Sequence, residues 1–63
     1  MMPYIVVVKT GRTEMVVTRK GTVSPSDPPR KFLSKDSASD VAGEWAVTFA
    51  GVPNYKVVTR RVD

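Results

Sequence analysis

The stretch YIVVVKTGRTEMVVTRKG, residues 4–21, decides the fold of this chain. Its first part, residues 4–9, is dense in β-branched residues and is typical of a strand. Residues 10–13 follow, and Gly11 among them can adopt the positive φ that a short hairpin turn often requires. Residues 14–20 then form a second strand. The stretch therefore predicts an antiparallel β-hairpin.

The four letters VVTR occur in this second strand and again in YKVVTRRV, residues 55–62. The residues that flank the two copies do not match, and a duplicated unit should extend further than four letters. We therefore interpret the repeat as similar strand composition, so that residues 55–62 form a third strand after a turn at Pro53 and Asn54.

Both copies of VVTR end in adjacent basic residues, which are Arg19 and Lys20 in the first copy and Arg60 and Arg61 in the second. If the two strands are neighbours, these residues form one positive cluster near an end or edge of the sheet. Charges at a sheet edge prevent edge-to-edge aggregation, and they also attract an anionic partner. Both interpretations stand, and the four residues are candidate partner-binding residues.

A helix is predicted over residues 37–50. Ser37 lies three residues before Asp40 in an arrangement like a capping box. Gly51 followed by Pro53 is typical of a helix end.

This helix has one apolar stripe at helical spacing, formed by Ala38, Val41, Ala42, Trp45, Ala46 and Phe49. We expect Trp45 and Phe49 to pack on the sheet as core residues and not to form a base-stacking platform. The element order is then ββαβ. The predicted fold class is α+β, with one helix packed on a three-stranded antiparallel sheet in a single domain of residues 1–63.

A proline-rich loop is predicted at about residues 22–36. It contains Pro25, Pro28 and Pro29 together with serine and aspartate, a composition that opposes both helix and sheet. Either its large apolar residues, Phe32 and Leu33, pin a surface loop to the body, or the segment is a mobile recognition loop. The second interpretation draws on the flanking basic residues Arg30, Lys31 and Lys35.

Two apolar surfaces have no evident cover. Val47 lies with Gly43 and Ala50 on the helix side away from Trp45, where small residues let another surface approach closely. Val47 is therefore a fifth candidate partner-binding residue, against the alternative that it is a single exposed apolar residue of a common kind. The first strand is apolar on both faces, and one helix covers only one of them. We expect the proline-rich loop, a partner or a second copy of the chain to cover the other face.

The composition excludes several kinds of chemistry. The chain has 63 residues without cysteine or histidine, which excludes disulfides, thiolate or imidazole metal sites, and Ser–His or Cys–His catalysis. The six carboxylates show no pairing in the sequence, and there is no glycine-rich phosphate loop. We therefore expect no enzyme activity, no cofactor and no metal. The apolar run of residues 4–8 is too short for a signal peptide or a membrane span, which predicts a soluble, unprocessed chain. The absence of cysteine fits a reducing cytoplasm.

Ten Lys and Arg residues against six Asp and Glu residues give a net charge of +4, which attracts nucleic acid, acidic proteins and anionic membranes alike. A small protein-binding inhibitor or adaptor accounts for the spare apolar face, the small residues on the helix and the basic strand ends together. A DNA-binding module that uses its sheet face is the alternative. The strands hold only Tyr4 and Tyr55 as aromatic residues, fewer than single-strand binders use for stacking. We therefore expect a protein partner, weak non-specific nucleic-acid binding and no membrane binding, with a homodimer left open.

Residues 38–62 carry a resemblance to a known family. They contain a Glu44-Trp45 pair in mid-helix, a glycine-containing turn, and then Tyr55 leading to VTR at residues 58–60. This pattern resembles the C-terminal half of the small T7-type phage inhibitors of bacterial RNA polymerase. The resemblance implies a phage protein that inhibits or redirects a host protein, RNA polymerase, in the cytoplasm of an infected bacterium. It also implies that Arg60, which matches an arginine near the last strand of that family, contacts the polymerase.

Overall fold

The computed structural model describes residues 3–62, which form four strands and one helix. In chain order these elements are β1 (Tyr4–Thr10), β2 (Thr13–Val17), β3 (Val23–Ser24), α1 (Lys35–Thr48) and β4 (Tyr55–Arg61). The strands make one antiparallel sheet in the order β3-β2-β1-β4. The predicted α+β class is confirmed. The sheet has a fourth strand, the two-residue β3, because the chain turns back onto β2 after Gly21.

The composition of β1 explains why this strand lies in the middle of the sheet. Residues 5–8 are all apolar and all buried, and a strand that is apolar on both faces is stable between two neighbours. Val7 pairs with Val16 of β2 on one side and with Val58 of β4 on the other. The predicted hairpin of β1 and β2 is confirmed, and Gly11 in its turn has a φ of 58°.

The core lies between α1 and one face of the sheet. Val6, Val17, Phe32 and Ala38 form its buried centre. Partly buried residues pack around them, namely Tyr4, Val23, Val41, Ala42, Trp45 and Val57. The predicted orientation of the helix is therefore confirmed, except that Ala46 at the border of the apolar stripe is exposed.

Three aromatic rings extend this core to the start of β4. The Trp45 ring stacks on Phe49 with centroids 5.8 Å apart, and Phe49 stacks on Tyr55 at 4.4 Å. Trp45 is half-buried, because part of the indole borders a groove beside the helix. The expectation of a fully buried Trp45 is thus only partly met.

The helix begins two residues earlier than predicted. Ser34 is its N-cap, with extended backbone angles (φ −129°, ψ 154°), and its hydroxyl oxygen accepts a hydrogen bond from the Ser37 N–H at 3.2 Å. The prediction of Ser37 as the cap is therefore wrong, since Ser37 lies inside the first turn. The helix ends at Thr48, and the N–H of the following Phe49 donates to the Trp45 carbonyl. Within residues 3–62, this 14-residue helix has neither the length nor the apolarity to cross a membrane.

The proline-rich segment is attached to the sheet at residues 29–32. Tyr4 and Phe32 exchange two backbone hydrogen bonds of 2.8 Å, and the Arg30 N–H donates to the Val17 carbonyl, also at 2.8 Å. β2 ends at Val17, and the segment pairs with the first residue of β1 in its stead. Phe32 is an anchor as predicted, but Leu33 is 74% exposed and anchors nothing.

Candidate partner-binding surfaces

The two basic pairs lie at the same end of the sheet but not side by side. β2 and β4 both run antiparallel to β1, so both end near the start of β1. However, β1 separates them. The condition for a single positive cluster, that the two VVTR strands are neighbours, is therefore not met, and Arg19 and Lys20 belong to a different surface from Arg60 and Arg61.

Arg19 and Lys20 occupy the centre of a tight turn. β2 stops at Val17, three residues before the predicted end at Lys20, because the Gly21 N–H donates to the Thr18 carbonyl at 3.1 Å and closes a turn. Thr18 is 2% exposed, and its hydroxyl oxygen accepts a hydrogen bond from the Lys20 N–H at 3.3 Å. A buried threonine thus holds the turn that presents two exposed basic side chains.

This turn forms one wall of a basic groove, which we define by Arg19, Pro28, Pro29, Arg30 and Lys31. The groove has a volume of about 550 Å³. It exists because Pro29 pairs with Thr18 across the ladder, which brings the proline-rich segment against the turn. The sequence shows Arg30 and Lys31 beside the proline-rich loop, but it does not join them to Arg19, because no sequence signal reveals the pairing of Pro29 with Thr18.

Arg60 is held by an intramolecular ion pair. Its guanidinium group donates two hydrogen bonds to the Glu14 carboxylate, Nη1 to Oε1 at 3.3 Å and Nη2 to Oε2 at 3.1 Å. The Lys9 ammonium lies 3.7 Å from the same carboxylate. Hydrogen bonding and the positive charge of Arg60 lower the pKa of Glu14, and Lys9 adds a smaller effect in the same direction. In return, Glu14 raises the pKa of Arg60.

Lys9, Glu14 and Arg60 form what we call the charged strap, and it crosses the sheet face opposite the helix. Glu14 of β2 pairs with Lys9, and Arg60 of β4 pairs with Ile5. The line that joins Glu14 to Arg60 therefore passes diagonally over Val7, which has 0% exposure. Long charged side chains commonly cover apolar surface with their methylene groups. Val7 is thus buried within the described chain itself, without the partner or second copy that was one expectation for this face.

β4 is an edge strand of the sheet, and its hydrogen-bonding pattern can be derived from the contacts at its C-terminal end. The Val62 N–H donates to the Pro3 carbonyl at 2.8 Å. Tyr4 directs its backbone groups to Phe32, away from β4. Hydrogen-bonded and non-hydrogen-bonded pairs alternate along an antiparallel ladder, so Val58 and Arg60 direct their backbone groups towards β1.

The same alternation directs the backbone N–H and C=O groups of Val57 and Thr59 outward from the sheet. Among residues 3–62, no strand pairs with β4 on that side. Lys56, Val58 and Arg60 flank these groups on the sheet face opposite the helix.

Val47 is 76% exposed, and Gly43 and Ala50 beside it are exposed as well. The predicted small apolar patch is therefore present on the outer side of α1, while its use by a partner stays a prediction. Within residues 3–62, no three carboxylates come together in a group that could hold a metal ion.

Comparison of this chain with protein-family models, with curated proteins and with solved structures finds no match. The surfaces are therefore interpreted from their own chemistry.

Proposed function

We propose that this chain acts by binding another protein, and that an extended acidic segment of this protein adds to the free edge of β4. The observation that carries the proposal is the row of outward backbone groups at Val57 and Thr59 on a seven-residue edge strand. Long unprotected edges are templates for strand addition. Peptide recognition by strand addition uses such main-chain hydrogen bonds for affinity and alternate side chains for specificity.

The charges on β4 favour an acidic partner segment. Lys56 and Arg60 lie on either side of Val58 on one face of the strand. An added strand with acidic residues opposite both cations and an apolar residue opposite Val58 would match this pattern. Arg60 can take part while paired with Glu14, because a guanidinium group has five N–H donors and the carboxylate accepts only two of them.

A second copy of the chain fits this edge less well. The antiparallel register that pairs all seven residues of two β4 strands places Lys56 of one copy opposite Arg60 of the other. Like charges directly opposite each other destabilise a strand pair. A heterologous acidic strand avoids this repulsion.

The alternative function is DNA binding by the sheet face opposite the helix. This face is a weaker candidate for DNA binding than the β4 edge is for protein binding. Tyr4 and Tyr55 lie on the helix side of the sheet by strand alternation. The described strands therefore place no aromatic residue on the opposite face for stacking with bases. A carboxylate, Glu14, lies on that face and pairs with Arg60 and Lys9, which leaves less uncompensated positive charge there for phosphate. The net charge of +4 then accounts for weak, non-specific attraction to DNA.

The resemblance of residues 38–62 makes bacterial RNA polymerase the first partner to test. In this proposal the chain is a phage protein that occupies a surface of a host protein and thereby inhibits or redirects it, without catalysis of its own. Arg60, which carries the resemblance, lies on the proposed binding strand.

A proline at position 59 tests the edge directly. The Thr59 N–H points outward, so Thr59→Pro removes a donor that the partner strand needs while leaving the β1–β4 hydrogen bonds in place, and prolines are tolerated at such edge positions. Thr59→Val keeps the N–H and is the matched control. In capture from bacterial lysate after nuclease treatment, and with purified RNA polymerase, we expect Thr59→Pro to weaken binding by about tenfold or more and Thr59→Val to change it little.

Circular dichroism must first show that the Thr59→Pro variant is folded. Equal capture by the folded proline variant and the valine control would contradict strand addition at β4. Loss of all capture on nuclease treatment would contradict a protein partner. If the pure protein is a dimer and Thr59→Pro dissociates it, the binding partner of the β4 edge is a second copy of the chain and not a host protein.

A further inference from the structure

Two grooves adjoin on the helix side of the sheet and share one residue. The basic groove, of about 550 Å³, is lined on one side by Arg30. Arg30 also lines a second groove of about 280 Å³, together with Val17, Gly21, Val41, Glu44, Trp45 and Thr48. Arg30 thus borders both a cationic groove and a groove that contains an aromatic side chain.

Among the described residues, the cations of the basic groove form no ion pair with a carboxylate. Among residues 3–62, no carboxylate oxygen lies within ion-pair distance of Arg19, Lys20, Arg30 or Lys31, and the ion pairs that are formed belong to the charged strap. Asp27 borders a smaller cavity with Arg19 and Lys20 but makes no salt bridge there. Unpaired cations around a concavity attract an anion, and arginine forks fit phosphate oxygens well.

The groove is also held in shape before any ligand binds. The Arg30 guanidinium lies 4.8 Å from the centroid of the buried Phe32 ring, a cation–π contact that fixes its position. Its backbone N–H is bonded to Val17. Pro28 and Pro29 have fixed φ angles, and Thr18 fixes the turn that carries Arg19. The backbone of the groove and the Arg30 side chain are thus already positioned, which lowers the conformational entropy lost on binding.

From this arrangement we propose that the two grooves bind a nucleotide, with its phosphate in the basic groove between Arg19, Arg30 and Lys31 and its base in the second groove beside Trp45. The half-buried indole offers the base an aromatic surface, and such stacking is tolerant of base identity. Glu44 in the same groove can accept a hydrogen bond from an exocyclic amino group of the base. This site lies on the helix side of the sheet and does not depend on the proposed protein binding at β4.

Trp45 provides the measurement, because it is the only tryptophan of the chain. Titration with adenosine 5′-monophosphate at constant ionic strength is expected to quench its fluorescence. Inorganic pyrophosphate should displace the nucleotide and restore the signal. Arg19→Gln/Lys31→Gln should weaken binding by about tenfold or more, since two charge-assisted contacts are removed.

The matched control is Arg12→Gln/Lys56→Gln, which removes the same charge at the opposite end of the sheet. It should leave nucleotide binding nearly unchanged. Lys31→Gln alone, at an exposed position, should give an intermediate loss and serves if the double variant is unstable.

Two results would overturn the proposal. One is an absence of quenching at any nucleotide concentration, and the other is an equal loss of affinity in the groove variant and the control, which would indicate attraction by net charge only. A single-stranded oligonucleotide distinguishes the sources of the nucleotide. Much tighter binding and stronger quenching by the oligonucleotide identify a nucleic-acid strand as the ligand, and affinity no better than that of the mononucleotide identifies a free nucleotide.

Discussion

Arg60 is predicted from the sequence to contact a partner. In the structure its guanidinium group donates two hydrogen bonds to Glu14. The two residues are 46 positions apart in the chain, so no sequence pattern joins them. They meet because both side chains lie on the sheet face opposite the helix, on the two strands that flank β1. The basic strand end is thus part of the protein's own structure as well as a candidate contact.

The charged strap makes stability depend on pH through Glu14. The folded pKa of this carboxyl is lowered from its ordinary value of 4.5, so its contribution is complete above that value and is lost as the pH falls through the lower folded pKa. We expect the melting temperature of the parent chain to fall on acidification in this window more than that of Glu14→Gln, which cannot titrate. The two melting temperatures should converge at the acid end.

Arg60→Ala provides the control for this prediction, since it removes the cause of the shift and leaves Glu14 to titrate near its ordinary value. Parallel pH profiles for the parent and Glu14→Gln would show that the strap does not couple pH to folding.

At the level of the elements, the start of α1 shows how tertiary contacts choose between two local signals. The capping-box pattern with Asp40 predicts Ser37 as the N-cap, but in the structure Ser34 takes this position. The attachment of Phe32 to Tyr4 fixes where the chain leaves the sheet. The helix then begins as soon as the chain can turn, and this occurs at Lys35 after Ser34.

Two alanine substitutions separate these candidates. Ser34→Ala should lower the free energy of unfolding by about 1 kcal/mol, the usual cost of losing an N-cap side chain. Ser37→Ala, inside the first turn, should change it by less than ~0.5 kcal/mol. Urea denaturation measures both values. A larger loss for Ser37→Ala than for Ser34→Ala would restore the cap that the sequence predicts.

On the scale of the whole molecule, charge is divided between the helix and the rest. α1 carries Lys35 and three acidic residues, Asp36, Asp40 and Glu44, whereas the remaining chain has nine Lys and Arg residues against three Asp and Glu residues. The β4 edge and the basic groove lie in the basic part, whereas the groove proposed for the base borders α1. An anionic partner is therefore expected to approach from the sheet edge or the basic groove and not over the exposed side of α1.

The single small core makes the whole molecule sensitive to Trp45. Because the indole is half-buried, Trp45→Ala should cost about 2 kcal/mol, less than the ~3–5 kcal/mol of a fully buried aromatic residue. A domain of this size has a stability of only ~0.05–0.15 kcal/mol per residue, so that loss should lower the melting temperature by many degrees. Thermal unfolding followed by far-ultraviolet circular dichroism measures it. An unchanged melting temperature would show that Trp45 does not support the core.

The sequence by itself determined the hairpin, the helix with Trp45 towards the sheet, the α+β class and the exposed Val47. These features follow from local periodicity and turn residues, which act over a few positions of the chain. Only the tertiary structure decided that β1 lies between the two VVTR strands and that Glu14 pairs with Arg60. It also decided that the pairing of Pro29 with Thr18 brings Arg30 and Lys31 beside Arg19. Each of these depends on pairing between residues far apart in sequence, and such pairing is chosen by the burial of the whole core.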